Sequence, residues 1–354
     1  MHDSNVASSG LDPEWNALPE NVRQAMRVTW ANGVPPLASA VYARWWQLES
    51  WLRSLLYVEL RAAHGSAWVD ALPKISKVRQ QGEDEFRYMA TPDAQNRLAY
   101  ADASALFRTT LEQWNLFEHA LLTKNVWTGR IEELLAIRNR IGHCRRPHFD
   151  DLSRLEQALR DLNGGAFGAT SAFNNQSKAK ENWSDAVVDG WVRERHPTAS
   201  RLIKHAERQY DTIFELRCSR RPWAKRVAPG QVPTISGIPG YVWHAFWYFR
   251  GGRDFHLDKF WRDIEIHREI MLLVCANGPS SISVSFAAME DPTAVADAIG
   301  TCFDAALYNI GNGAGSDGYT EWQARYAELD PQVHVLSPWA LAEEYMRGVS
   351  MFGA

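Results

Sequence analysis

The sequence predicts a multidomain protein, with an N-terminal all-α helical bundle followed by a C-terminal α+β domain. Its 354 residues are enough for two domains that each bury a core of their own. Apolar residues in the first half recur at steps of three and four, which is the period of an amphipathic helix. The second half contains runs that alternate with the period of two that is typical of a strand. We place the helical domain at 1–163, a linker at 164–184 and the α+β domain at 185–354.

Several helices are predicted in the first half. The longest runs from about Leu37 to Ala63, because its apolar residues form one continuous stripe. Others are expected near residues 13–30, 102–123, from 128 onwards and near 149–163. Gly164 and Gly165 are expected to end the last of these, since glycine commonly follows a helix. The next stretch is rich in Gly, Ala, Ser and Asn without a period, which indicates a linker.

Strands and helices are both predicted in the second half. Residues 241–249 are aromatic and suit a strand, and two more strands are expected around a turn at 277–279. The second of them alternates apolar residues with serine from 281, which predicts a strand with one buried face. Asp291 before a proline predicts the start of a helix, and Ser337 before a proline predicts another.

The composition argues against several functional classes. The chain has 38 Lys+Arg against 42 Asp+Glu, and this balance argues against bulk nonspecific nucleic-acid binding while leaving a local basic site open. Its four cysteines are scattered and form no C-x-x-C pair, so neither a zinc site nor a disulfide framework is expected. The N-terminus lacks the apolar core of a signal peptide, and the run "IMLLVCA" is too short to span a bilayer. We therefore expect a cytoplasmic protein with no membrane partner.

One stretch, "LLAIRNRIGHCRR", places Arg138 within the apolar stripe of a predicted helix. A lone guanidinium there is costly unless a carboxylate or a ligand meets it. The first alternative is a buried ion pair with Glu49 that only orients two helices. The second is a site that binds a phosphodiester, whose oxygens suit a guanidinium.

The neighbours of Arg138 favour the second alternative. Asn139 and His143 are four residues apart and share one helix face. Gly142 is expected to distort the helix and turn the imidazole of His143 toward the guanidinium. Imidazole moves a proton near neutral pH, and an amide can orient a hydroxyl group or the ring. The stretch continues into a basic rim, expected to bind RNA, that consists of Arg145, Arg146 and His148. This chemistry needs no metal, and we expect no cofactor.

The letters "RNRIGH" resemble the R-N-x-x-x-H motif of the HEPN superfamily of helical nucleotide-binding domains. An upstream aromatic-rich helix is similar to the first long helix of one large HEPN branch. It carries E-x-x-L-R from Glu49 to Arg53, followed by a Gly, a Trp and a Leu-Pro pair. The resemblance covers roughly residues 36–163.

The resemblance implies a metal-independent endoribonuclease that acts as a homodimer, because two HEPN protomers usually form one composite cleft. It implies that Arg138 stabilises the charge of the transition state, that His143 takes or relays the proton of the 2′-hydroxyl, and that Asn139 orients one of them. The products would carry a 2′,3′-cyclic phosphate and a 5′-hydroxyl. Glu49 matches the acidic residue of the family's early helix, and the resemblance implies that this acid positions Arg138. Arg53 would be a second supporting residue.

Proteins of this build often act as toxins or in antiviral abortive infection. The resemblance therefore implies an RNA-cleaving defence effector, with an antitoxin or activator protein as a partner and a sensor or regulatory role for the second domain. One toxin branch has a tyrosine two residues after the motif histidine, but Arg145 stands there, so regulation through such a tyrosine is not expected. The alternative is a non-catalytic HEPN-type module that binds or dimerises in a signalling or defence protein.

Three other segments are interpreted as structural. The basic run at 217–226 could hold RNA, but a solvated loop between strands is favoured. The segment at 254–267 contains His, Asp and Glu, but its histidines lack i,i+4 spacing, and an amphipathic helix accounts for it better than a metal site does. The glycine-rich run at 311–318 lacks the ending of a phosphate-binding loop and is expected to be a flexible connection.

Overall fold

A helical region comes first in the fold, and a region of mixed helix and sheet follows it, as predicted. The computed structural model describes residues 19–72, 96–228, 231–250, 253–311, 319–326, 329–346 and 348–353. The start of the first predicted helix and nearly all of the glycine-rich run at 311–318 lie outside these ranges. No helix among the described residues is both long enough and apolar enough to cross a bilayer.

The helices are numbered here in chain order. They are α1 (Glu20–Ala31), α2 (Pro36–His64), α3 (Ala103–Glu112), α4 (Trp114–Phe117), α5 (Lys124–Gly142), α6 (Asp151–Asn174), α7 (Ala186–Trp191), α8 (Ala199–Tyr210), α9 (Leu257–Ile264), α10 (Pro292–Tyr308), α11 (Tyr319–Tyr326) and α12 (Pro338–Leu341). Short 3-10 helices occur at Gly65–Ala71, Arg97–Tyr100, Glu265–His267 and Glu344–Met346.

The long helix predicted near the start of the chain is confirmed as α2, which has 29 residues. Pro36 occupies its first turn, where a residue without an N–H group loses no hydrogen bond. Gly65 follows its last residue with a φ of 60°, a conformation that favours glycine. The helix predicted over 102–123 is shorter, because the chain leaves it after Phe117.

Eight strands are formed by the described residues. They are β1 (Ser177–Lys178), β2 (Thr212–Arg220), β3 (Tyr241–Phe249), β4 (Asp254–Phe255), β5 (Met271–Gly278), β6 (Ser281–Ala287), β7 (Ile310–Gly311) and β8 (Val333–Val335). Six of them form a mixed sheet in the order β1-β2-β3-β6-β5-β8, in which only β5 and β8 are parallel. The strands predicted at 241–249 and on both sides of 277–279 are confirmed as β3, β5 and β6.

Both faces of the sheet are covered by helices. On one face, Val242 and Leu272 pack with the apolar side chains of α2 and α6. On the other face, Trp243 and Val284 pack with residues of α7 to α10. The prediction that β6 has one buried face is therefore wrong, since Ser285 on its serine face is fully buried. Burial of that hydroxyl is tolerated because it hydrogen-bonds to a histidine on β3.

The linker predicted at 164–184 is wrong for most of its length. Helix α6 continues through Gly164 and Gly165 to Asn174, and residues 177–178 form the edge strand β1. Gly165 does not end the helix but allows close packing, because a Cβ atom there would overlap the carbonyl group of Ala120. The division of the chain into two domains at this stretch stays a prediction.

The basic run at 217–226 is not a solvated loop. Residues 217–220 belong to β2, and Arg221 is fully buried between the sheet and the helical region. Its guanidinium donates to both carboxylate oxygens of Glu59 on α2, with an Nε–Oε2 distance of 3.0 Å, and to the carbonyl oxygen of Ala169 at 2.9 Å. The indole of Trp223 donates to the same carboxylate at 2.7 Å. These bonds join the helical region to the sheet.

Three predictions for the C-terminal part also have outcomes. Asp291 accepts a hydrogen bond from the backbone N–H of Ala294, so the predicted start of α10 is confirmed. The segment at 254–267 contains the amphipathic helix α9, and no group of three or more potential metal ligands occurs among the described residues. The helix predicted after Ser337 is present as α12 but has only four residues.

Candidate functional site

The predicted motif lies at the C-terminal end of α5. The helix buries the face that carries Trp127, Ile131, Leu134 and Ile137. Arg138 lies on the same face, four residues after Leu134 and seven after Ile131, and is half-buried, while Asn139 and His143 are exposed. Its spacing agrees with the expectation from the helix wheel. The side chain is only half-buried because it lies in the last turn of the helix, next to the exposed Gly142.

The guanidinium of Arg138 lies along the last turn of its own helix. Its Nη1 atom is 3.5 Å from Oδ1 of Asn139, which is the outer limit of a hydrogen bond. A Cβ atom at Gly142 would be 3.5 Å from the same nitrogen, so the guanidinium covers the residue that precedes His143. Among the described residues, Arg138 forms no ion pair with a carboxylate. Its donors thus remain available to a ligand.

The expected ion pair between Arg138 and Glu49 is wrong. Both oxygens of the Glu49 carboxylate are used within α2, one by Nη2 of Arg53 at 2.5 Å and the other by the indole N–H of Trp45. Arg53 also donates from Nε to the carbonyl oxygen of Leu98 at 3.0 Å. Glu49 and Arg53 therefore hold the 3-10 helix Arg97–Tyr100 against α2. They do not support Arg138, because the i,i+4 partner of Glu49 is closer to it.

Helix α5 ends in a backbone motif that exposes His143. The N–H of Arg145 donates to the carbonyl oxygen of Arg140 at 2.8 Å, and the N–H of Cys144 donates to that of Ile141 at 3.1 Å. This pair of bonds is a Schellman motif, in which the residue after the C-cap has a positive φ. Cys144 takes that position with a φ of 53°, although glycine is usual there. Gly142 stays helical, so the expectation that it distorts the helix is wrong.

Arg140 holds the loop after α5 against the start of α6. Its Nε donates to Oδ2 of Asp151 at 2.8 Å and its Nη2 donates to the other oxygen. The backbone N–H of His148 donates to the same carboxylate at 2.9 Å. Burial opposes ionisation of Asp151, but these donors outweigh it and lower the pKa of its carboxyl group. The loop that carries the basic rim is therefore fixed at both ends.

The basic rim faces solvent beside the motif. Arg145, Arg146 and His148 are exposed, and neither arginine pairs with a carboxylate among the described residues. His148 lies 4.0 Å from Asp150 and its ring contacts that of Phe149, with 4.3 Å between ring centroids. Phe149 is 78% exposed, which is unusual for a large apolar side chain. Exposed aromatic rings next to cations are typical of surfaces that stack single-stranded bases.

The arrangement is an open surface rather than a pocket. The cavities of about 530 Å³ and 680 Å³ in the described part of the chain are lined by other residues. The last turn of α5 carries a guanidinium and an amide, and the residue that follows the helix carries an imidazole. Such a set can bind a phosphodiester and move a proton without a metal. This grouping contains Arg138, Asn139, His143, Arg145, Arg146 and His148, and it leaves out Glu49 and Arg53.

Sequence reasoning missed two contributors to this surface. Asp151, the first residue of α6, fixes the loop through Arg140, eleven positions earlier on another helix, and no helical or strand period reveals this pair. Phe149 is the second contributor. Its polar neighbours His148 and Asp150 are the signal in the sequence that its side chain is exposed. Comparison of the chain with family models, with curated proteins and with solved structures finds no match in any of the three.

Proposed function

We propose that the C-terminal end of α5 is the active site of a metal-independent endoribonuclease. The observation that carries this proposal is the environment of Arg138. Its guanidinium has no carboxylate partner among the described residues and lies 3.5 Å from the amide oxygen of Asn139. It also covers Gly142, next to the exposed His143. A half-buried cation without a counterion is costly unless an anion binds to it.

The proposed reaction is attack of a ribose 2′-hydroxyl on the adjacent phosphorus. His143 accepts the proton of the hydroxyl as the new P–O bond forms. Arg138 donates hydrogen bonds to the non-bridging oxygens, whose negative charge grows in the transition state. Asn139 holds the guanidinium or the hydroxyl in place. The bond from phosphorus to the 5′-oxygen breaks, the leaving oxygen takes a proton from solvent, and a 2′,3′-cyclic phosphate remains.

The open shape of the surface supports a shared site. Within the described residues, a single copy offers a guanidinium, an imidazole and a rim at the exposed end of one helix, outside the two large cavities. A second copy placed across this surface would enclose the phosphate and exclude water, which strengthens every electrostatic contact inside. The proposal therefore includes a homodimer that acts on RNA in the cytoplasm, as a toxin or antiviral defence effector under the control of an antitoxin or activator protein.

A non-catalytic binding module is the second candidate. The observation in its favour is that the imidazole of His143 forms no hydrogen bond with the side chain of Arg138 or Asn139 in the described part of the chain, since His143 bonds to Asn139 only through its backbone N–H. In that case the rim would hold RNA or a protein partner and the bound RNA would stay intact.

Cleavage of total RNA by the purified full chain in excess EDTA separates the two candidates. The wild type is expected to cleave, and Arg138→Ala is expected to be slower by about 100-fold or more, since one donor to the developing charge is removed. Arg160→Ala, at an exposed position on the neighbouring helix α6, is the matched control and should cleave like the wild type. Equal rates for wild type and Arg138→Ala would exclude the proposed site, while RNA binding without cleavage by all three would favour the binding module.

A further inference from the structure

A cavity of about 680 Å³ lies between α2 and the edge of the sheet formed by β5 and β8. Its volume is within the range of about 300–1,000 Å³ that is typical of small-molecule sites. Side chains from α2, from the 3-10 helices at Gly65–Ala71 and Arg97–Tyr100, and from the segments before β5 and β8 line it. It contains none of the motif residues of α5 and is therefore a separate feature of the molecule.

Four arginines line the cavity, and three of them have carboxylate partners. Arg53 pairs with Glu49 at 2.5 Å, Arg61 with Glu290 at 3.1 Å and Arg268 with Asp330 at 2.6 Å. The fourth is Arg97, which is half-buried and pairs with no carboxylate among the described residues. A guanidinium in that position is a ready partner for an anion.

The position of Arg97 is fixed by Arg53, which the sequence predicted as a supporting residue of the motif, and by Asn96. Arg53 donates to the carbonyl oxygen of Leu98 at 3.0 Å, within the 3-10 helix that carries Arg97, and to that of Ala101 at 3.3 Å, directly after it. The side chain of Asn96 accepts a hydrogen bond from the N–H of Leu98 at the start of the same turn. The backbone at Arg97 is thus held in place before a ligand binds, which lowers the entropic cost of binding.

Two buried polar atoms of the lining residues have no partner in the protein. They are Nε of Arg61 and Oε1 of Gln332. Gln332 is 9% exposed, and its amide nitrogen is already used by the hydroxyl of Tyr57 and the carbonyl oxygen of Met271, at 2.5 and 3.0 Å. An unpaired buried donor or acceptor is costly. Both atoms have almost no solvent-accessible surface, so they lie behind the cavity wall rather than on it.

The mouth of the cavity has a flat apolar wall. Trp46 lines it and is 61% exposed, whereas Trp68 deeper in the cavity is buried against Tyr57 with 5.2 Å between ring centroids. The ring of Trp46 contacts that of Tyr42, with 6.3 Å between the ring centroids. Its exposed face, close to a lining that is rich in arginine, suits a flat aromatic ring stacked upon it. Glu269 is the only carboxylate among the lining residues that the structure describes, and it is exposed.

The geometry points to a binding site for a small aromatic anion. The negatively charged group pairs with Arg97, and the ring stacks on Trp46. The cavity that contains these two residues is also lined by the segments that precede β5 and β8. This inference does not depend on the function proposed for α5.

Calorimetric titration of the full chain tests the site with AMP, which has an anionic group, a ring and an amino donor. Adenosine lacks the anionic group and ribose 5-phosphate lacks the ring. AMP is expected to bind saturably and at least about tenfold more tightly than either fragment, because each fragment loses one of the two main contacts. Arg97→Gln should weaken AMP binding by about tenfold or more, since a charge-assisted hydrogen bond is lost.

Two further variants keep the test decisive. Trp46→Ala changes an exposed side chain and should weaken AMP but leave ribose 5-phosphate unchanged. Arg201→Gln, on α8 at an exposed position on the opposite side of the sheet, should bind AMP like the wild type. Absence of saturable AMP binding below about 1 mM would overturn the proposal. So would unchanged AMP binding by Arg97→Gln, or equal weakening by Arg201→Gln.

Discussion

Glu59 on α2 and Arg221 after β2 form a fully buried ion pair across 162 positions of the chain. Burial opposes the ionisation of Glu59, but Arg221 and the adjacent His119 outweigh it and lower the pKa of its carboxyl group to about 2. The pair links the helical region, which carries the proposed nuclease site, to the sheet. Loss of either charge would leave the other buried without a counterion.

Glu59→Gln is therefore expected to lower the free energy of unfolding by about 3 to 5 kcal/mol, because it leaves the guanidinium of Arg221 buried and unpaired. Urea unfolding followed by circular dichroism measures the change. Glu132→Gln, at an exposed position of α5, is the control and should have little effect. An unfolding midpoint for Glu59→Gln equal to that of the wild type would show that the pair contributes nothing.

The same pair gives a pH dependence. The carboxyl pKa of Glu59 falls from 4.5 to about 2 on folding, so its stabilisation is complete above pH 4.5 and is lost as the pH falls toward 2. In Glu59→Gln this contribution is absent at every pH. The gap in unfolding free energy between wild type and variant should therefore narrow as the pH falls below 4.5. A gap that stays constant down to about pH 3 would contradict the assignment.

His244 predicts a second pH effect, at a higher pH. Its ring is fully buried in β3 between the hydroxyl groups of Ser219 at 2.7 Å and Ser285 at 2.8 Å. Burial lowers its pKa from 6.5 to about 3, so the unfolded chain binds a proton that the folded chain does not between these values. Stability should fall by about 3 kcal/mol between pH 6.5 and pH 4 on account of this residue.

Unfolding free energies of wild type and His244→Gln across this range test the effect. The variant should show a shallower slope with pH, whatever its absolute stability. The remaining slope includes His334, whose pKa burial lowers to about 4. Parallel curves for wild type and His244→Gln would mean that His244 does not stay neutral in the fold.

The predictions from sequence succeeded where a pattern is local. The apolar stripe of α2, the aromatic run of β3 and the cap at Asp291 depend on neighbours within a few residues, and each is found within one or two positions of its expected place. Predictions failed where the deciding partner is distant. Arg221 appeared solvated because Glu59 is far away in sequence, and Gly165 appeared to end a helix because its packing partner Ala120 belongs to another segment.

The motif shows the same limit. The residue types of the candidate site are local and could be selected from the sequence, and six of them lie on one surface. The role of Glu49 could not be predicted, because a helix wheel cannot decide whether a carboxylate meets Arg53 one turn away or Arg138 on another helix. The three-dimensional packing shows that the carboxylate of Glu49 pairs with Arg53.

The glycines of α6 provide a matched pair of substitutions. A Cβ atom at Gly165 would overlap the backbone of Ala120, whereas Gly164 has open space around the same position. Gly165→Ala should lower the free energy of unfolding by about 1 to 3 kcal/mol, the usual cost of overpacking. Gly164→Ala should raise it by about 0.5 to 1 kcal/mol, since alanine favours a helix. Thermal unfolding of the two variants decides this, and a similar effect of both would contradict the close approach at Gly165.

Cys144 allows a test of the helix end beside the proposed site. Its φ of 53° is costly for a residue with a Cβ atom, so Cys144→Gly should raise the free energy of unfolding by about 1 kcal/mol. Cys144→Ala keeps the Cβ atom and should give no such gain, which separates backbone strain from loss of the thiol. Denaturant unfolding of both variants measures the difference. Equal stabilities for the two variants would argue against the left-handed conformation.

The chemical ends that the full chain leaves on a defined RNA, in excess EDTA, test the proposed nuclease site most directly. The wild type should leave 2′,3′-cyclic phosphate and 5′-hydroxyl ends. His143→Ala should be slower by about 100-fold or more because the group that accepts the proton is missing, while His64→Ala should match the wild type. Products with 3′-hydroxyl and 5′-phosphate ends, or an unchanged rate for His143→Ala, would contradict a catalytic site at the end of α5.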